Sequence, residues 1–309
     1  MDVLTHPVLR VVGAPRALRR WAIASLVANI GIVVTGALVR LTGSGLGCPT
    51  WPRCTTDSYV AHPALGIHGA IEFGNRLLTF VLIAIAILTW VSALLYRPRS
   101  RRFRWLTAGM ALGIPAQGVV GGFTVLTKLN PFMVAVHLLL SFVLVALSVW
   151  LVRLTWALAA APTPPWGVRL ARIALVGMWI AVWLGTVVTG SGPHAGDEHS
   201  VRTGFDAALV AHIHAVAVYV TIAATFGCVV IVRNTPSLLL LAVEVVQAGV
   251  GLSQYHLGLP IGLVLMHLLG AALAIAAATN LFLSVRHGQR NDPAEDVRPG
   301  TLTQPAHHS

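Results

Sequence analysis

The sequence predicts an all-α integral membrane protein, with eight transmembrane helices arranged as two pseudo-symmetric four-helix bundles. Three observations carry this expectation. Hydrophobic residues make up 56% of the 309 residues and charged residues only 10%, a balance that no water-soluble domain sustains. The apolar residues gather into eight runs, each near or above the roughly 20 residues a helix needs to cross a bilayer. Sixteen of the 21 Lys and Arg residues fall on one side of those runs, and only Arg40, Arg53, Arg76, Lys128 and Arg202 fall on the other. The net charge of +11 therefore reads as positive-inside topology, not as nucleic-acid binding. Both termini are expected in the cytoplasm of a multi-pass plasma-membrane protein.

The expected spans are Trp21–Leu41, Ile67–Leu95, Trp105–Thr127, Phe132–Val152, Leu170–Gly190, Asp206–Val232, Pro236–Tyr255 and Leu259–Val285. Pro, Gly and charged residues punctuate every gap. The start, Met1 to Arg20, is basic and shows no cleavable signal. The first bundle is expected over 1–154, and the Ala- and Pro-rich stretch 155–169 reads as a cytoplasmic linker. The second bundle is expected over 170–286, and the polar segment 287–309 reads as a disordered cytoplasmic tail.

An internal repeat supports two halves of like orientation. Thr42-Gly-Ser-Gly45 closes the first span and Thr189-Gly-Ser-Gly192 the fifth, an offset of 147. Gln117 and His137 are matched by Gln247 and His267, both at an offset of 130.

Five histidines stand inside the spans, and three of them lie one each on the fourth, sixth and eighth. His137, His214 and His267 lie 16, 19 and 19 residues from the Arg that ends each helix. At 1.5 Å per residue they form one layer, roughly 24–29 Å above the inner edge. A lone buried His is usually a satisfied core group, but three at one depth on repeat-related helices point to haem ligation. His214 and His267 make a two-His pair for one iron. In the first half His137 has no such partner, because Asn75 stands at the place that corresponds to His214. His212 points to a different face, and His68 lies seven residues before Asn75, about 10 Å further out.

The stretch His68-Gly-Ala-Ile-Glu-Phe-Gly-Asn-Arg76 places polar groups on the first turns of a membrane helix, where they are costly and mark function unless they snorkel to headgroups. Glu72 is one turn from Asn75 and faces the same pocket, as a proton-handling carboxylate or as a partner for Arg76 or Arg40. Arg76 and Arg40 stand where haem propionates can meet them. Glu244 is a second carboxylate within a span, as a relay or a paired group. Cys228 is isolated in an apolar run and reads as a small hydrophobe. Cys48 and Cys54 share an outer loop where a disulfide can persist, as a staple or a redox pair. His194, Asp197 and His199 in the other outer loop read as solvated loop residues with weak metal-binding capacity.

The string Gly36-Ala-Leu-Val-Arg-Leu-Thr-Gly-Ser-Gly-Leu-Gly-Cys48, with Trp51-Pro-Arg-Cys54 and Ile71-Glu-Phe-Gly-Asn-Arg76, resembles the haem A synthases. Together with the three helix histidines, the pattern is similar to an actinobacterial-type member. The resemblance implies oxidation of a methyl group of haem O to the formyl group of haem A, by way of an alcohol, for haem–copper oxidase biogenesis. It implies haem b on His214 and His267 and the substrate haem iron on His137. It also implies Glu72 as the catalytic carboxylate, Arg76 and Asn75 beside the cofactor, and a Cys48–Cys54 disulfide. The natural partners are the haem O-producing farnesyltransferase and cytochrome oxidase assembly factors, and a homo-oligomer is compatible with it. Two positions depart from the family pattern: Asn75 replaces the His of Glu-x-x-His-Arg, and Ala215 replaces the Arg that usually follows the helix-six His. The alternative reading is a cytochrome b-type electron carrier that leaves its haems unmodified. A transporter fits less well, since its polar groups would gather at broken helices near the bilayer midplane.

Overall fold

The computed structural model describes residues 12–96, 100–194, 196–197 and 200–287. Among them are eight helices long and apolar enough to cross a membrane. They are α1 Pro15–Leu41, α2 Gly66–Leu95, α3 Arg101–Leu126, α4 Pro131–Thr155, α5 Pro165–Ser191, α6 Ala207–Ile231, α7 Thr235–His256 and α8 Ile261–Ser284. The chain is a multi-pass membrane protein. The expected tail and most of the N-terminal leader lie outside the described residues.

Several helices begin where the sequence supplies a start. Asn130, Asp206 and Asn234 cap α4, α6 and α7, accepting hydrogen bonds from the Phe132, Leu209 and Ser237 amides. Pro15 and Pro165 open α1 and α5, where a missing amide hydrogen costs nothing. These prolines explain why both helices start several residues before the expected spans: the apolar runs begin at Trp21 and Leu170, but the backbone is already helical. The last third of the expected linker, from Pro165, is consequently helix, and Ala161–Thr163 pairs in parallel with Val285–His287 at the end of α8.

The matched Thr-Gly-Ser-Gly strings differ in structure. Gly43 takes φ +66, a value a side chain disfavours, and the Ser44 amide turns back to the Val39 carbonyl, ending α1. Gly190 stays inside α5 and its carbonyl accepts the Thr203 amide.

Helices α1 to α4 pack in a closed ring, α1 against α2, α2 against α3, α3 against α4 and α4 against α1. Helices α5 to α8 close in the same order. The rings meet along α1, α4, α5 and α8. This seam is the main core: Phe142 and Val145 of α4 lie against Ala171, Ala174 and Met178 of α5 and the alanine-rich face of α8 around Ile275. Small residues let the helix backbones approach closely, which is how helices associate when lipid offers no hydrophobic contrast. Large apolar side chains such as Phe80, Trp105 and Leu112 point outward, two-thirds or more exposed, as a lipid-facing surface requires. Arg153, buried at the basic end, ties α4 to α8 through the Asn280 side chain at 2.7 Å.

Candidate functional site

A cavity of about 250 Å³ opens inside the α1–α4 ring. Its wall combines Glu72 and Asn75 of α2, Gln117 and Gly121 of α3, His137 of α4 and Arg40 of α1. The seam contributes too, through Thr186 and Thr189 of α5 and Leu268 of α8. A largely apolar hollow with a few convergent polar groups is the usual form of a small-molecule site. The sequence thus placed Glu72, Asn75, Arg76 and His137 around one pocket, and the structure brings all four to its wall.

His137 is held by its backbone and its neighbours. Its carbonyl accepts from the Gln117 side-chain amide at 2.9 Å and from Ser141 Oγ at 3.0 Å. Its ring lies over Gly121, where a Cβ would stand 3.2 Å from Cε1, so the missing side chain makes room for the imidazole. His137 Nδ1 is buried without a hydrogen-bond partner. Asn75 Oδ1 accepts from Thr35 Oγ1 at 2.8 Å, tying α2 to α1.

Glu72 and Arg76 are one helical turn apart and form an ion pair at 2.6 Å. Glu72 is only 5% exposed, and its other oxygen accepts the Cys48 amide at 2.6 Å. Arg76 also donates to the Cys48, Thr50 and Arg53 carbonyls. Of the two partners the sequence left open for Glu72, the structure selects Arg76. The pair clamps the outer loop, in which Cys48 and Cys54 are joined by a disulfide and wholly buried. The clamped loop places Trp51 on the cavity wall, its indole against Gly122, where no larger residue would fit.

The second ring holds the other two histidines face to face. The His214 and His267 rings are 6.4 Å apart between centres and inclined at 78°. Metal–imidazole bonds are about 2 Å long, which puts each ring centre roughly 3 Å from the metal and two opposed rings about 6 Å apart. The observed separation fits two axial ligands of one metal. Among the described residues no group of three His, Cys, Asp or Glu side chains exists that could hold a bare ion. Two imidazoles alone suit a metal whose other positions a macrocycle fills. His214 Nδ1 donates to the Ala181 carbonyl at 2.8 Å, which fixes the tautomer and leaves Nε2 as the ligating nitrogen. The Gln247 amide grips the His267 carbonyl at 2.9 Å, and Gly185 and Gly251 lie flush against the two rings.

The remaining candidates fall elsewhere. His68 Nδ1 bonds Ser44 Oγ at 2.9 Å and is absent from the cavity wall. His212 is exposed and bonds the Ala208 carbonyl. Glu244 is buried with one oxygen accepting from Thr225 Oγ1 at 2.9 Å and the other unpartnered. Cys228 is buried and free, as a small core residue. His199 lies outside the described residues. Sequence reasoning missed Trp51, Thr35, Arg202 and the ring-packing glycines. The repeat itself carried a signal for two of these glycines, since Gly121 and Gly251 are offset by the same 130 as the Gln and His pairs.

Fold and site define a polytopic membrane protein with an imidazole-lined cavity in one helix ring and an opposed imidazole pair in the other. The chain belongs to the cytochrome oxidase assembly protein family, COX15-CtaA, whose model matches residues 19–64 and 67–279. Among its relatives is a protein named heme A synthase from Lysinibacillus sphaericus, 33% identical over 141 residues, 45% of each chain. Others of that name are from Methylorubrum populi, 29% identical over 57% of this chain and 55% of the relative, and from Shewanella oneidensis, 25% identical over 81% and 91%. The match spans about half the length of the first two of these relatives.

Proposed function

We propose that this chain is a haem A synthase, an oxidoreductase that converts a methyl group of haem O, by way of the alcohol, to the formyl group of haem A. The observation that carries this reading is the cavity whose wall unites His137, Asn75 and the clamped Glu72. Haem O is the substrate of that cavity, with His137 as the ligand to its iron. Asn75, engaged with Thr35, is a weak donor and leaves the substrate one strong protein ligand. The Glu72 carboxylate, fixed by Arg76 and the Cys48 amide, stabilises positive charge that builds at the oxidised carbon and takes part in moving its protons.

The two rings are related copies with divided labour: residues 1–154 form the substrate side and 170–286 the electron-transfer side. His214 and His267 would hold a haem b, which when bound supplies one-electron transfer. His267 and Leu268 are consecutive on α8, and Leu268 lines the substrate cavity, so the two sites share one helix wall. The chain sits in the plasma membrane with both termini in the cytoplasm, where its basic residues concentrate. Haem O reaches it from the farnesyltransferase that makes it, and haem A leaves toward cytochrome oxidase assembly factors.

Extraction and chromatography of haems from cells with and without the gene test the reading directly. Haem A is expected only with the gene, and an unchanged haem profile would favour a simple electron carrier. Glu72→Ala is expected to abolish haem A while the protein still carries its haem b. Normal haem A from that variant would sink the assignment of Glu72.

A further inference from the structure

At the outer end of the seam, two guanidinium groups from different halves approach each other with donors unspent. Arg40 closes α1 and lines the cavity, and its Nη2 donates across the seam to the Thr189 carbonyl of α5 at 2.7 Å. Its Nε is buried with no hydrogen-bond partner. Arg202, in the loop between α5 and α6, donates through Nη2 to the Pro193 carbonyl at 2.6 Å, while its Nη1 is buried and unpartnered. Arg40 packs against the loop that carries Arg202, where a Cβ on Gly196 would stand 3.5 Å from Arg40 Cγ, so the two charges act on one another. His194 of the same loop senses both: burial first, then the Arg40 and Arg202 charges, hold its imidazole below the usual range. The Gly45 amide donates to the Gly196 carbonyl at 2.9 Å and pins the two outer loops together above this cluster.

Like charges gathered with buried, unused N–H donors are costly unless an anion completes them. Arg76, the other arginine on the cavity wall, differs in that Glu72 and three loop carbonyls engage all three of its guanidinium nitrogens. We propose that Arg40 and Arg202 form an oxyanion subsite, shared between the two halves, for a carboxylate of the macrocycle that fills the cavity. This rests on the reading of the cavity as a haem-substrate site. Guanidinium groups bind carboxylates through paired, charge-assisted hydrogen bonds. A carboxylate held here fixes the outer edge of the macrocycle and so the rotation of the ring about the His137 ligand. That rotation decides which methyl group lies beside Glu72.

An anionic lipid headgroup offers the same oxyanion chemistry, so the test has two arms. The full-length protein, in nanodiscs and carrying its second-half haem, is titrated with iron protoporphyrin and with its dimethyl ester. The unmodified protein is expected to prefer the free acid by about tenfold or more. Arg40→Gln and Arg202→Gln are each expected to erase most of that preference, and Arg40→Lys to restore part of it. An unchanged second-half spectrum marks each variant as folded. Folded Gln variants that keep the full preference would overturn the proposal. It would also be overturned if they lose only retention of phosphatidylglycerol relative to phosphatidylcholine, which assigns the subsite to lipid. No cavity binding of either macrocycle would overturn the substrate reading itself, an outcome distinct from binding without preference for the acid.

Discussion

The two halves hold an imidazole in the same frame and then part company at its opposite side. In each, a glutamine amide grips the histidine carbonyl at 2.9 Å from the neighbouring helix. In each, a glycine lies under the ring, Gly121 at 3.2 Å and Gly251 at 3.3 Å from Cε1 for an added Cβ. Across from His267 stands His214, braced on the Ala181 carbonyl; around His137 the cavity offers instead Asn75, braced on Thr35. The disulfide-bonded loop clamped by Glu72 and Arg76 of α2 belongs to the first side, and among the described residues the second shows no counterpart of it. One frame thus serves two ends: a closed two-imidazole pair suits electron transfer, and a one-imidazole cavity with a fixed carboxylate suits chemistry on its occupant.

The largest effect expected is loss of the second site. If the pair holds a haem as proposed, His214→Ala or His267→Ala should remove nearly all of the low-spin, two-imidazole absorption of the purified protein, because only one protein ligand remains. His137→Ala should leave that absorption in place and cut haem A formation by about a hundredfold or more, since orientation of the substrate is lost. Equal loss of the absorption in all three variants would break the distinction between the halves.

Asn75→His sharpens it next. If the frames are equivalent, an imidazole at position 75 should convert the first cavity into a second closed pair. A second low-spin species should then appear when haem is added, with haem A formation reduced by about tenfold or more. An Asn75→His protein of normal activity and unchanged spectrum would show that position 75 does not face the substrate iron.

Most of this architecture was legible because a membrane imposes simple requirements. Eight apolar runs have few alternatives to eight helices, and the misplaced starts of α1 and α5 arose where proline, not hydropathy, sets the boundary. The facing of His214 and His267 was legible because helix rise converts sequence distance to depth. The partners of Arg76 were not. Its hydrogen bonds to Cys48, Thr50 and Arg53 reach back more than twenty residues into a loop whose path no periodicity encodes. Arg202 and Trp51 were hidden for the same reason: each lies in an outer loop that only tertiary packing brings to the cavity region.

A smaller effect should follow from filling the space beneath a ring. Gly251→Ala puts a Cβ 3.3 Å from His267 Cε1, and the ring must tilt by a few tenths of an ångström to accept it. Overpacking of this kind costs about 1–3 kcal/mol. The proposed haem b site is expected to bind its haem several-fold less tightly, read by competition with a haem-accepting apoprotein. Gly121→Ala should leave haem b affinity unchanged and lower haem A formation.

The smallest difference separates the two glutamines. Gln247 gives its amide to the His267 carbonyl, with an alanine at position 271. Gln117 divides its amide between the His137 carbonyl and Ser141 Oγ, and Ser141 itself donates to that carbonyl at 3.0 Å. Replacing either Gln by Leu removes an interhelical hydrogen bond worth about 0.5–1.5 kcal/mol. In Gln117→Leu the serine still serves the carbonyl, whereas Gln247→Leu has no such substitute from position 271. Thermal unfolding in detergent should therefore place Gln247→Leu below Gln117→Leu. The reverse order would mean that the Ser141 contact does not support the His137 frame, and that the two imidazole frames differ in more than the residue across from them.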